Sequence, residues 1–251
     1  MIKTFKNIAL GLAIILIITL NSAYIQGNCS TLKKKVVYLT FDDGPSYENT
    51  GKILNILNKN KVKATFFVVG NSVIENKGII KKLKNNNMAI YPHCNVHNYK
   101  KIYKNKNEYF KDLNICEKRI KSVLGKNTKL NFVRLPGGST NTVGDRSVIN
   151  SIEKELKKKN KMYIDWNIDS GDAKFANVPS DVIKNNIKRN AGTYNIEVVL
   201  MHDAAGKKST VNSLQSIINE YKRMNYEFKT LDNISKEEIK YLKTNRVINR
   251  N

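Results

Sequence analysis

Apolar blocks alternate between two periods along most of this chain. Val36–Phe41 is a β-branched and aromatic run without charge, as in a buried strand. Lys52–Asn58 places Ile53, Leu54, Ile56 and Leu57 at helical spacing. Ala64–Val69 returns to strand, Ile79–Leu83 to a short helix and Met88–Tyr91 to a short strand. Asn107–Leu124 is the clearest helix: Tyr109, Leu113, Cys116, Ile120 and Val123 share one face, and Gly125 supplies the stop. The same alternation then predicts strands at Leu130–Leu135, Met162–Ile168, Glu197–Met201 and Glu227–Leu231. Between them it predicts helices at Val148–Lys159, Asp181–Arg189 and Val211–Met224. Glu237–Asn251 is polar and reads as a final helix fraying into a tail.

Strand followed by helix, repeated, predicts an α/β fold with a parallel sheet, because parallel neighbours need a crossover between them. About seven such strands favour a single-domain (β/α) barrel over an open sheet. No glycine-rich phosphate loop follows the first strand, which counts against a nucleotide-binding fold. Residues 36–234 read as the domain, 28–35 as a basic linker before it and 235–251 as a polar tail.

The N-terminus departs from this pattern. Lys3 and Lys6 precede Ile8–Leu20, an unbroken apolar stretch whose length suits a signal-peptide hydrophobic region better than a membrane span. Residues 1–27 therefore read as a signal peptide or an N-terminal membrane anchor, and the location as secreted or cell envelope. The formal net charge of +23, mostly lysine, suits an anionic cell wall or membrane surface. Export and the lack of any aromatic-basic motif argue against nucleic acid. Three cysteines, an odd number, argue against a disulfide framework. Cys116 reads as a small buried hydrophobe.

The unusual polar residues fall just past predicted strand ends, which converge on one face of a (β/α) barrel. Asp42 and Asp43 are adjacent acids, and adjacent acids repel, so a bound cation is the simplest way to keep both ionised. His93 and His97 have the spacing that puts two imidazoles on one helical face, with Pro92 in the first turn. With a carboxylate from another strand end they make a two-histidine, one-carboxylate site suited to zinc, cobalt, nickel or iron. Cys94, between them, is a further possible ligand. Arg134 ends an apolar strand and needs a carboxylate partner. Gly137 and Gly138 allow backbone N–H groups close to a ligand. Asp165, Asp169 and Asp172 surround Trp166, a residue of the core or a sugar-stacking surface. One of those acids is placed to orient His202.

Five ordered segments resemble the NodB-like polysaccharide deacetylases, carbohydrate esterase family 4. They are Thr40-Phe41-Asp42-Asp43-Gly44-Pro45, His93-Cys94-Asn95-Val96-His97, Arg134-Leu135-Pro136-Gly137-Gly138, Asp169-Ser170-Gly171-Asp172 and Leu200-Met201-His202. The resemblance runs from about Lys35 to Leu231 and implies a distorted (β/α) barrel and removal of acetyl groups from N-acetylglucosamine residues. Peptidoglycan is the expected polymer, with chitin oligomers, exopolysaccharide or acetylated xylan as alternatives. It also implies the roles. Asp43, His93 and His97 would bind a divalent metal, zinc first, with cobalt or nickel possible. Asp42 would be the base toward metal-activated water, held by Arg134. The Gly137 N–H would stabilise the oxyanion, and Leu200 would line the acetyl pocket. His202 would be the acid, with Asp172 behind it. The sequence departs from the family pattern at Cys94, where Ser or Thr is usual, at Ala173, where tryptophan is frequent, and at Tyr91-Pro92. A catalytically weak wall-binding protein on the same fold is the competing expectation.

Overall fold

The first strand, β1 (Lys35–Asp42), is buried from Val36 onward and organises everything around it. The computed structural model describes residues 34–175 and 178–250, so the expected export segment lies outside the described residues. Along its whole length β1 pairs in parallel with β7 (Ile196–His202), from Val36 opposite Ile196 to Asp42 opposite His202. Its other edge is shared. β8 (Tyr226–Phe228) covers Lys35–Val37, and β2 (Thr65–Val69) covers Thr40–Asp42. Outward from these, β2 pairs with β3 (Ala89–Cys94) and β7 with β6 (Ile168–Asp169), again in parallel.

A second parallel pair, β4 (Phe132–Val133) with β5 (Met162–Tyr163), stands in the remaining gap. The Arg134 N–H reaches the Pro92 carbonyl at 3.4 Å on the β3 side, and the chain runs from β5 into β6 on the other. The strands thus follow a ring, but the ladder breaks on both sides of β4–β5. The architecture is a mostly parallel α/β fold consistent with a distorted barrel; it is not a closed one.

Helices cover the ring: α1 (Thr50–Lys59), α2 (Gly70–Glu75), α3 (Lys77–Asn85), α4 (Tyr99–Ile102), α5 (Lys106–Leu124), α6 (Arg146–Lys158), α7 (Ser180–Asn190), α8 (Lys208–Arg223) and α9 (Lys236–Thr244). On α5, Asn105 caps the start by accepting from the Glu108 N–H at 3.0 Å, and Gly125 ends it at φ 103°. Tyr109 and Leu113 of α5 pack with Ile149, Ile152 and Leu156 of α6 and with Val133, Leu135 and Tyr163, sealing the weak β4–β5 pair. Each such side chain contributes roughly 1.5–3 kcal/mol on burial. Cys116 is fully buried on the same helix, as its periodicity suggests.

Two elements differ from expectation. The strand expected over Met162–Ile168 is split. Ile164 and Asp165 aim their carbonyls at the Arg134 guanidinium, at 3.0 Å each, instead of continuing one ladder. The polar tail is also docked rather than frayed. Ser235 and Glu238 form a reciprocal capping box at the start of α9, and Leu242, Val247 and Ile248 are buried. Ile248 bridges Ile164 in antiparallel fashion, the Asp165 N–H donates to the Val247 carbonyl at 2.8 Å, and Arg250 lies 3.7 Å from the Asp165 carboxylate. Charge counts along the tail hid three apolar side chains at the spacing that matters. Among the described residues no helix is long and apolar enough to cross a membrane.

Candidate active site

The register of β1 against β7 sets Asp42 beside His202, since neighbouring strands lie about 4.8 Å apart. Asp43 follows in the left-handed region at φ 74°, unfavourable for a non-glycine residue by about 1 kcal/mol or more. That turn presents its carboxylate to both histidines. Asp43 Oδ1 lies 3.2 Å from His93 Nε2 and 3.3 Å from His97 Nε2.

His93 and His97 do not share a helix face. His93 is on β3, Pro92 is inside that strand, and His97 is in the loop beyond it. A register irregularity at Val68/Val69 lets β3 run on through Cys94. The buried Asp112 carboxylate of α5 then accepts from the N–H groups of Asn95 at 2.5 Å and Val96 at 3.2 Å, which bends the chain back. The two rings end stacked, 5.5 Å between centroids. Spacing alone had suggested the right pair by the wrong geometry.

Those three residues fit a divalent cation. His93 Nδ1 sits 2.8 Å from the Arg134 carbonyl, which only accepts, so Nδ1 carries the proton and Nε2 offers a lone pair. That lone pair faces Asp43 Oδ1, a buried oxygen with no hydrogen-bond partner among the described residues. Lone pair against anion is repulsive unless a positive charge lies between them. Tetrahedral coordination at ~2.0–2.1 Å sets ligand atoms about 3.3 Å apart, which both measured separations to Asp43 match. All three ligand atoms lie within 4.8 Å of one another. Burial pushes the Asp43 carboxyl up, but interaction with His93 first, then with His97 and His202, holds it well below the usual range. Cys94 is buried beside the trio without joining it, and burial drives its thiol well above the usual value.

Arg134 is fully buried, and its guanidinium reaches four oxygens: Asp42 Oδ1 at 3.0 Å, Thr40 Oγ1 at 2.6 Å and the carbonyls of Ile164 and Asp165. It also lies 4.3 Å from the centre of the Phe67 ring. The carboxylate partner expected from sequence is therefore Asp42. On the other side His202 Nδ1 is 2.7 Å from Asp172 Oδ1, and the His202 N–H donates to Asp172 Oδ2 at 2.8 Å. Burial lowers the His202 pKa, but the hydrogen bond and charge of Asp172, reinforced by Asp42 and Asp43, raise it to about 9.

Asp42, Asp43, His93, His97 and His202 line one open cleft of about 270 Å³ with Tyr99, Gly137, Trp166, Asp169, Ala173, Lys174 and Leu200, while Arg134 and Asp172 stand behind it. Gly137 is at φ 74°, and its N–H has no partner among the described residues. Trp166 is half-buried. It packs against Gly138, where a side chain would strike its ring, and it walls the cleft. A larger cavity of about 860 Å³, near Leu124, Phe132, Met162 and Leu231, contains none of these groups.

Further residues support the site, and Thr210 and Lys207 escaped sequence reasoning. Thr210 donates to Asp172 Oδ2 at 2.7 Å, and the Lys207 ammonium donates to the Asp172 carbonyl at 2.9 Å. Asp165 accepts from the Ser139 N–H at 2.9 Å, which fixes the Gly137-Gly138 turn. Asp203 is fully buried under Gly44, where any side chain would collide with its carboxylate. Burial, with the Asp43 and Asp42 charges, raises its pKa to about 7. Asp203 had a local signal, its place next to His202, and Asp165 was already marked as one of three acids around Trp166. The others come from long-range packing.

The fold and site together define a hydrolase of the α/β class with a metal-competent two-histidine, one-carboxylate centre. The chain belongs to the polysaccharide deacetylase family, whose profile matches residues 30–155. It is 32% identical over 219 residues to a peptidoglycan-N-acetylglucosamine deacetylase of Bacillus cereus, covering 86% of this chain and 76% of that one. The catalytic domain of the Eubacterium rectale peptidoglycan N-acetylglucosamine deacetylase superposes with a TM-score of 0.73 at 30% identity, covering 80% and 90% of the two chains. A Streptococcus mutans CE4 esterase superposes at 0.72 with 31% identity, covering 79% and 86%. The chain is thus a deacetylase, a hydrolase of amide bonds, in a family that generally depends on a divalent metal.

Proposed function

We propose that this chain removes acetyl groups from N-acetylglucosamine residues of peptidoglycan outside the cytoplasm, using a divalent ion, zinc first, held by Asp43, His93 and His97. The observation that carries this reading is the meeting of those three ligand atoms between Asp42 and His202. A divalent ion there supplies Lewis acidity toward the acetamide and lowers the pKa of water. Asp42 takes a proton from the attacking water, while Arg134 holds its carboxylate in place at 3.0 Å. The Gly137 N–H donates to the carbonyl oxygen as charge builds on it. Leu200 meets the acetyl methyl, and the Trp166 ring offers a face to the sugar. His202, held as imidazolium by Asp172, protonates the departing nitrogen, so acetate and a free amine result.

The relatives' substrate supports peptidoglycan, and the apolar segment at 8–20 supports export. The +23 charge suits an anionic wall. The test is a panel of peptidoglycan, chitin oligomers, exopolysaccharide and acetylated xylan, scored by loss of one acetyl in the mass spectrum. Highest kcat/KM on peptidoglycan is expected. Greater turnover of another glycan would move the substrate. Salt-sensitive wall binding without acetate release on any of them would replace the enzyme with a wall-binding protein.

A further inference from the structure

Tyr99 opens α4, directly after the loop that delivers His97. Asn98 caps that helix by accepting from the Lys101 N–H at 3.1 Å, which fixes where the Tyr99 ring goes. The ring stands edge-on to His97, 4.9 Å between centroids at 80°, and is followed by Tyr103 at 6.3 Å. Tyr103 in turn donates to the Pro136 carbonyl at 2.7 Å, tying this aromatic row to the Gly137 turn. A Cβ on Gly137 would lie 3.3 Å from Tyr99 Cε1 and 3.5 Å from its hydroxyl oxygen. The phenol therefore lies against Gly137, which lines the cleft.

Tyr38, Tyr91, Tyr103, Tyr221 and Tyr226 all spend their hydroxyls on protein acceptors. The Tyr99 hydroxyl has no acceptor among the described residues, and neither has the Gly137 N–H. Among the described residues the Tyr109 hydroxyl is also without a partner, but it is buried in the core, whereas Tyr99 lines the cleft. Tyr99 and Gly137 line it with Asp42, Asp43 and His202. Two unpaired donors converging at one edge of a site that must bear an oxyanion are a pair with one target.

We propose that the Tyr99 hydroxyl is a catalytic hydrogen-bond donor to the acetamide carbonyl oxygen, acting alongside the Gly137 N–H. The proposal rests on the deacetylase mechanism above. As water oxygen bonds to the carbonyl carbon, the C=O π pair moves onto oxygen. Tyr99 keeps its proton throughout and strengthens its hydrogen bond to the growing charge. When that pair returns, the C–N bond breaks and the hydrogen bond relaxes.

The experiment compares wild type with Tyr99→Phe, which keeps the ring against His97 and removes only the oxygen. Metal content and Tm are measured on both, and kinetics are run on N-acetyl and N-trifluoroacetyl chitooligosaccharides. The expected result is a fall in kcat of about 10- to 100-fold with KM nearly unchanged. The deficit should narrow on the trifluoroacetyl substrate, whose oxyanion needs less help; a residue that only packs would lose equally on both. A raised KM with unchanged kcat, unchanged kinetics, or equal losses on the two substrates would each overturn the proposal. Wild type inactive on both glycans and on peptidoglycan would overturn the deacetylase mechanism and this proposal with it, whereas an active wild type matched by Tyr99→Phe overturns the proposal alone.

Discussion

Replacing Asp172 with Asn isolates what the Asp172–His202 pair does. The amide keeps an oxygen for His202 Nδ1, 2.7 Å away in the wild type, but removes the charge that holds the imidazolium. His202 sits at about 9 against an ordinary 6.5, a displacement worth about 3 kcal/mol in favour of the charged form at 1.36 kcal/mol per unit. Its folded pKa is raised, so this contribution is complete below pH 6.5 and fades as pH rises through about 9. At pH 7.5 a group of pKa 9 is roughly 97% protonated, and one of 6.5 roughly 10%. Asp172→Asn should therefore cut kcat about tenfold at pH 7.5 and move the alkaline limb of the kcat profile down by about two units or more. Rate should recover as the pH is lowered toward 6. A cation on Asp43 shifts both proteins' limbs in the same direction, so the separation between limbs is the readout. The assay is acetate release at saturating glycan and metal from pH 5.5 to 10. Coincident alkaline limbs would refute the reasoning that Asp172 sets the protonation of His202.

Asp42→Asn should abolish turnover yet leave one bound metal per chain by elemental analysis; full activity would remove Asp42 from the base role. It should also lower Tm, because a buried Arg134 without a charge partner costs up to about 3–5 kcal/mol. Deleting residues 246–251 should cost about 3–6 kcal/mol from Val247 and Ile248 alone and reduce kcat by loosening Asp165 behind Arg134. Urea unfolding unchanged from the full chain would show that the tail contributes nothing. Chelation should lower Tm, and saturation to 100 times Kd should restore about 2.7 kcal/mol in wild type and far less in His97→Ala; equal recovery would place the metal elsewhere.

How far the sequence carries depends on whether a signal is local. Val36–Phe41 and Glu197–Met201 were legible because burial on both faces leaves a nearly continuous apolar run. Asp42, Asp43 and His202 were legible because they close those runs. Met162–Ile168 misled because five of its seven residues are apolar or aromatic, while its pairing is decided by Arg134 thirty residues away. The His93–His97 spacing misled because four residues suit both a helix turn and a strand that bends, and only Asp112 on another helix decides between them. Tyr99 carried no signal at all, since a tyrosine in a lysine-rich stretch looks like surface until the Gly137 turn is brought against it.

The central claim is that one ion gripped by Asp43, His93 and His97 carries the hydrolysis, and a single titration tests it. Metal-stripped protein is supplied with increasing zinc while acetate release from N-acetylated glycan is followed. The account predicts a rate that starts near zero, rises in proportion to added metal and levels off at one equivalent per chain. Full activity in the stripped protein, or saturation at any other stoichiometry, would contradict it.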